Sequence, residues 1–127
     1  MLYTGYSASN DTSTTIPDDS TFATLLATAD AATDLTAVKA LDDTTLIPAY
    51  IKMIRILHVM YPKAKIIMPI GDHVRPALRN SILKIGAHYQ AKYGYRVVDL
   101  QNLSPFKKNT VITKTDSCHP DDNGFTQ

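Results

Sequence analysis

Two short apolar runs, Lys65–Ile70 (KIIMPI) and Arg96–Leu100 (RVVDL), stand on either side of a segment that repeats at helical spacing. Both runs are nearly continuous in apolar character, as strands buried on both faces of a parallel sheet tend to be. Between them, from about Val74 to Tyr93, the residues Leu78, Ile82, Ile85 and Tyr89 fall on one helical face, and Gly94 supplies a stop. Parallel strands cannot be joined by a tight turn. They need a crossover of a dozen or more residues, usually a helix, and the crossover is right-handed. This stretch supplies one, and the chain is thereby confined to α/β architectures.

The rest of the chain extends the same pattern. Thr44 and Thr45 precede IPAYIKMIRILHVMY, where Ile47, Tyr50, Ile51, Ile54, Leu57 and Met60 recur at helical spacing. Pro48 suits a first turn and Pro62 follows the end. A weaker helix is predicted over Ser20–Ala29, with Ser20 as its N-cap. Residues 30–43 read equally as helix or loop. Leu2–Thr4 reads as a further strand, and Ser9–Ser20 as a polar loop. The order strand, helices, strand, helix, strand predicts one α/β domain over residues 1–127, with no internal repeat or linker.

Composition narrows the function. A net charge of +1 without a Lys/Arg run leaves no electrostatic footprint for nucleic acid. No apolar run approaches the ~20 residues of a membrane span, and the N-terminus, MLYTGYSASND, shows no signal-peptide pattern. The single cysteine, Cys118, excludes an intrachain disulfide and says little about compartment. All 12 acidic residues are aspartate, so carboxylate chemistry here runs through Asp.

In open parallel sheets, ligands bind at the carboxyl ends of the strands. That rule gathers GYSASND (5–11), GDH (71–73) and DLQN (99–102) on one rim, with TDSCHP (115–120) following the short apolar stretch TVIT. In the last of these, Asp116 precedes His119 by three residues, and Pro120 stiffens the turn. A histidine general base needs a partner on its second ring nitrogen to fix the tautomer and stabilise the imidazolium. A carboxylate folded back on a tight turn can be that partner; a polar surface turn is the competing reading. Asn10 can aim its amide at a developing oxyanion, or it can merely open a turn. Ser7, in Gly5-Tyr6-Ser7-Ala8-Ser9, is close to a nucleophile elbow, but an elbow leads straight into a helix and the polar stretch after Ser9 does not. His73 is placed to touch a ligand. His58 and His88 read as surface or boundary residues of their helices, and Cys118 as a turn residue. Asp116, Cys118, His119 and His73 lack the spacing of a zinc site. No cofactor motif is present.

The order of these pieces resembles the SGNH (GDSL-type) hydrolase superfamily of esterases and lipases. The resemblance rests on SASND after a strand, a helix ending YP, the strand AKIIMPI, a long helix, the strand VVDL, and DSCHPDDNG with its downstream Gly124. It implies a three-layer α/β/α, flavodoxin-like parallel sheet. It further implies His119 as base, Asp116 as its orienting acid and Asn10 as an oxyanion donor. The implied substrate is a small-molecule or carbohydrate ester, with no cofactor. The sequence departs from the family in having Ala8 where its Gly stands and in lacking the Gly-Asp-Ser nucleophile motif; Gly71-Asp72-His73 carries His where Ser is required. The chain is therefore expected to correspond to the C-terminal part of such a hydrolase and to be inactive alone. Its parent would be secreted or periplasmic, or of another compartment. Leu2–Thr4 would then be an uncovered edge, to be paired with a second copy or a missing N-terminal segment. The alternative is a non-catalytic α/β binding module.

Overall fold

Asp18, rather than Ser20, begins the first helix. In the computed structural model, which describes residues 15–71, 74–100 and 102, the Asp18 carboxylate accepts from the Thr21 backbone N–H at 2.7 Å. The Ser20 hydroxyl donates to the same oxygen at 2.9 Å from inside the first turn. A carboxylate at this position satisfies an orphan N–H and also complements the positive end of the helix dipole, so it displaces serine as cap. The Thr21 N–H, with further hydrogen bonds from the Thr21 and Ser20 hydroxyls, holds the Asp18 carboxyl below its ordinary range. Helix α1 accordingly spans Asp19–Ala31. Asp34 repeats the device, accepting from Ala37 N–H at 2.9 Å. It thereby nucleates the short helix α2, Leu35–Lys39, within the stretch that periodicity left undecided.

Helix α3, Leu46–Met60, follows the predicted stripe. Ile47, Tyr50, Ile51 and Ile54 are buried, whereas Met60, at the last turn, is 50% exposed. Lys52 ties the preceding loop to the helix by donating to Leu41 O at 2.9 Å and Asp43 at 2.7 Å. Strand β1, Ile67–Ile70, leads to helix α4, Pro76–Tyr93, and then to strand β2, Arg96–Asp99. Helix α4 starts two residues after Val74. Pro76 is its first residue, and a residue before proline is pushed out of the helical region; Arg75 has φ −54° and ψ 143°. The stop is as expected: Gly94 is left-handed at φ +70°, and its N–H reaches Gln90 O at 3.0 Å.

The described residues form a mixed α/β structure, mostly helical, with β1 and β2 paired in parallel. Both strands are shorter than the apolar runs that announced them. Lys65, Ile66 and Leu100 fall outside, although Arg96 N–H still bonds Ile66 O, and Leu100 N–H bonds Ile70 O, both at 3.0 Å. These two bonds fix the phase of the ladder. Ile66 and Ile70 point their carbonyls toward β2, so Pro69, in the opposite phase, turns its missing N–H the other way.

Helices α3 and α4 share one face of this pair. Met68 lines a small cleft with Tyr50, Met53, Ile54 and Leu57 of α3. Its methyl also lies 3.9 Å from where a Cβ on Gly86 of α4 would stand. Ile67, on the other side of the pleat, is 47% exposed. Helix α1 lies against both helices, so that Phe22, Leu26 and Ala29 join Ile51, Ile54, Ile82 and Ile85 in one core.

Helix α4 comes close to β2 at Gly86. A Cβ there would stand 1.9 Å from Val97 Cγ2 and 3.2 Å from Val97 Cβ. Alanine would gain about 1 kcal/mol in helix propensity, but overpacking of this kind costs about 1–3 kcal/mol. Gly86→Ala is expected to lose about 1 kcal/mol net in urea unfolding. In a Val97→Ala background, the same change is expected to be neutral or stabilising.

Candidate functional site

The parallel pair fixes where a site can be built from the described residues. The carboxyl ends of β1 and β2 bring Gly71 and Asp99 to one rim, and the N-terminus of α4 opens beside them. Asp99 is the hub. Arg79, one turn into α4, forms an ion pair with its Oδ2, and Asn102 Nδ2 donates to the same oxygen at 2.6 Å. Asn102 N–H also bonds Asp99 O at 3.2 Å, closing the turn that leaves the strand. Both members of the ion pair are largely covered, with side chains 21% and 17% exposed. Chemically the rim is a fixed polar platform. It closes the turn by which the chain leaves β2.

A second cluster lies at the opposite end of the strands. Arg55 is a buried cation, 3% exposed, inside the apolar stripe of α3. Its Nε donates to Ala29 O at 3.0 Å, Nη2 to Ala32 O at 2.6 Å and Nη1 to the Tyr93 hydroxyl at 2.6 Å. The first two are carbonyls at the C-terminal end of α1, where the dipole favours a cation. His58, one turn on, stacks on Tyr93 with ring centroids 3.8 Å apart, and its Nδ1 lies 2.6 Å from the Tyr95 hydroxyl. Asp30 receives His88 Nε2 at 2.8 Å and Lys92 Nζ at 2.5 Å. Burial pushes the Asp30 carboxyl up, but the hydrogen bonds and charges of Lys92 and His88 outweigh it and leave the group below its ordinary range. Tyr89, fully buried, has its phenol pushed up by desolvation and then by the Asp30 charge.

Of the residues that the sequence singled out, Asn10, Asp116 and His119 lie outside the described residues, as do Ser7, His73 and Cys118. The proposed strand Leu2–Thr4 lies outside them too. His58 and His88 are half-buried, which fits a boundary position. Both are nevertheless engaged by partners that lie far off in sequence and that helical spacing does not reveal. Arg55 and the Arg79–Asp99 pair were missed. Arg55 was findable: it stands four residues after Ile51 and eight after Ile47, on the buried stripe, and a cation there must find acceptors. Arg79 had no such signal, because its partner is reached through the sheet.

Among the described residues, no three His, Cys or Asp side chains converge as a metal site, and no helix is long and apolar enough to cross a membrane. Searches against protein-family models, curated proteins and solved structures found no match.

Proposed function

We propose that this chain supplies the acid–base and oxyanion residues of an SGNH-type serine ester hydrolase, in a three-layer α/β/α fold of flavodoxin type. The observation that carries this reading is the block DSCHPDDNG, in which an aspartate, a histidine–proline pair and a downstream glycine stand in the order of that superfamily's last motif. The reading is supported by the parallel β1–α4–β2 unit, which is a building block of such sheets and precedes the block in the chain.

In this reading His119 takes the proton of a serine hydroxyl as the oxygen attacks the ester carbonyl, while Asp116 holds the other ring nitrogen. Asn10 donates to the oxyanion. His119 then returns the proton to the departing alcohol, and a water, activated in the same way, releases the acid. The 127 residues contain no Gly-Asp-Ser motif, so the serine comes from polypeptide outside them. Acetylated carbohydrates and simple acyl esters both fit this chemistry.

The experiment is an assay of the protein encoded by the whole reading frame on a chromogenic acetyl ester. Turnover that disappears with His119→Ala is the expected result. No turnover at any pH, or turnover indifferent to His119, would remove the hydrolase reading. Saturable carbohydrate binding without turnover would replace it with a binding module.

A further inference from the structure

His58 brings together three elements at that end of the molecule, beside the bond from Arg55 to the Tyr93 hydroxyl. It belongs to the last turn of α3, it stacks on Tyr93 at the end of α4, and it shares a hydrogen bond of 2.6 Å with Tyr95, the residue leading into β2. Tyr95 is 1% exposed and Tyr93 packs tilted against it, with centroids 5.5 Å apart. We propose that His58 is a proton-sensitive clamp, holding the ends of α3 and α4 to the start of β2 while neutral and releasing them when the imidazole gains a proton.

The groups around the ring explain why a proton is unwelcome. On α3 itself, Arg55 is fixed one turn away by Ala29, Ala32 and Tyr93 and cannot withdraw. On α4, the Tyr93 ring that His58 covers already faces the Arg55 guanidinium at 5.6 Å. A protonated His58 would therefore be a second cation at a ring that already has one beside it. The next charges on α4, His88 and Lys92, are turned to Asp30 of α1, which spends that carboxylate elsewhere. From the segment before β1, Lys65 extends to Gly94, with its Nζ 3.6 Å from the place of a Cβ there, and adds positive charge beside the cluster. Tyr89 and Tyr95 offer only neutral phenols. The α3 dipole and the stacked Tyr93 ring favour a cation. Desolvation, followed by Arg55, outweighs them and lowers the His58 pKa from 6.5.

The sign follows from linkage. With the folded pKa below the unfolded one, the unfolded chain binds the extra proton first. The stabilisation is complete above the ordinary imidazole pKa of 6.5 and is lost as pH falls through it toward the folded value. The test is the thermal midpoint of the full chain between about pH 7.5 and about pH 5.5, on either side of the imidazole range. It is measured for the wild type, for His58→Gln and for a His88→Gln control, together with the NMR titration of the His58 ring in the wild type. The expected result is a midpoint that falls on acidification in the wild type and in His88→Gln, a fall that is lost in His58→Gln, and a ring that titrates below 6.5. An unchanged pH dependence in His58→Gln, or a ring titrating at or above 6.5, would overturn the proposal. The ring titration decides alone should the Gln variant not fold.

Discussion

His119→Ala, made in the protein as its whole reading frame encodes it, is expected to lower kcat on an acetyl ester by roughly 10⁴-fold or more while leaving KM within about threefold. Base, orienting acid and serine act as a unit, so losing the base removes the means of activating the nucleophile and not merely one contact. Asp116→Asn is expected to fall by a similar factor, because an amide presents the wrong partner to the imidazole. Asn10→Ala is expected to cost less, about 10²–10³-fold, the usual loss of one oxyanion donor. Steady-state kinetics of the three variants, with circular dichroism to confirm folding, checks the graded order. If all three lose the same modest amount, the effect is on folding and the assignment of roles fails.

The second large effect concerns stability. Arg55→Ala is expected to destabilise the chain by about 3 kcal/mol, read as a shift in the urea midpoint at unchanged slope. The guanidinium serves three acceptors at once, two of them carbonyls at the end of α1. Its removal takes the Arg55 donor from Ala32 O in a buried setting and leaves Ala29 O with the Ala32 N–H at 3.3 Å, and an orphaned buried acceptor costs about 1–3 kcal/mol. The Tyr93 hydroxyl loses its donor as well. Arg55→Lys is expected to recover little, since one ammonium on a flexible stem cannot span the fork that reaches all three. A loss below about 0.5 kcal/mol would place Arg55 among solvated surface charges.

Much of this architecture was legible because it rests on local rules. The α3 stripe from Ile47 to Ile54, the α4 stripe, the Gly94 stop and the parallel character of the two strands all follow from spacing and turn chemistry; Met60, the end of the predicted α3 stripe, is exposed. The errors were at boundaries, where two signals compete. Asp18 outranked Ser20 as a cap, and Pro76 delayed α4 past Val74. What could not be read was contact across the fold. The ion pair between Arg79 and Asp99, and the stacking of His58 on Tyr93, join positions that only the packed helices bring together. The candidate catalytic residues are a different matter: they were read from two motifs, SASND and DSCHPDDNG, and Asn10, Asp116 and His119 fall outside the described residues.

Pro69 bears on a hazard that acts before the protein is folded. Its run, KIIMPI, is otherwise the kind of β-prone, weakly charged segment that zips onto copies of itself when a nascent or partly unfolded chain exposes it. Because the ladder phase turns Pro69 away from β2, the proline costs the β1–β2 pairing nothing. On the opposite flank of β1 it deletes a donor that an incoming strand would need. The same residue therefore leaves β2 a complete edge while hindering self-pairing of an exposed KIIMPI run.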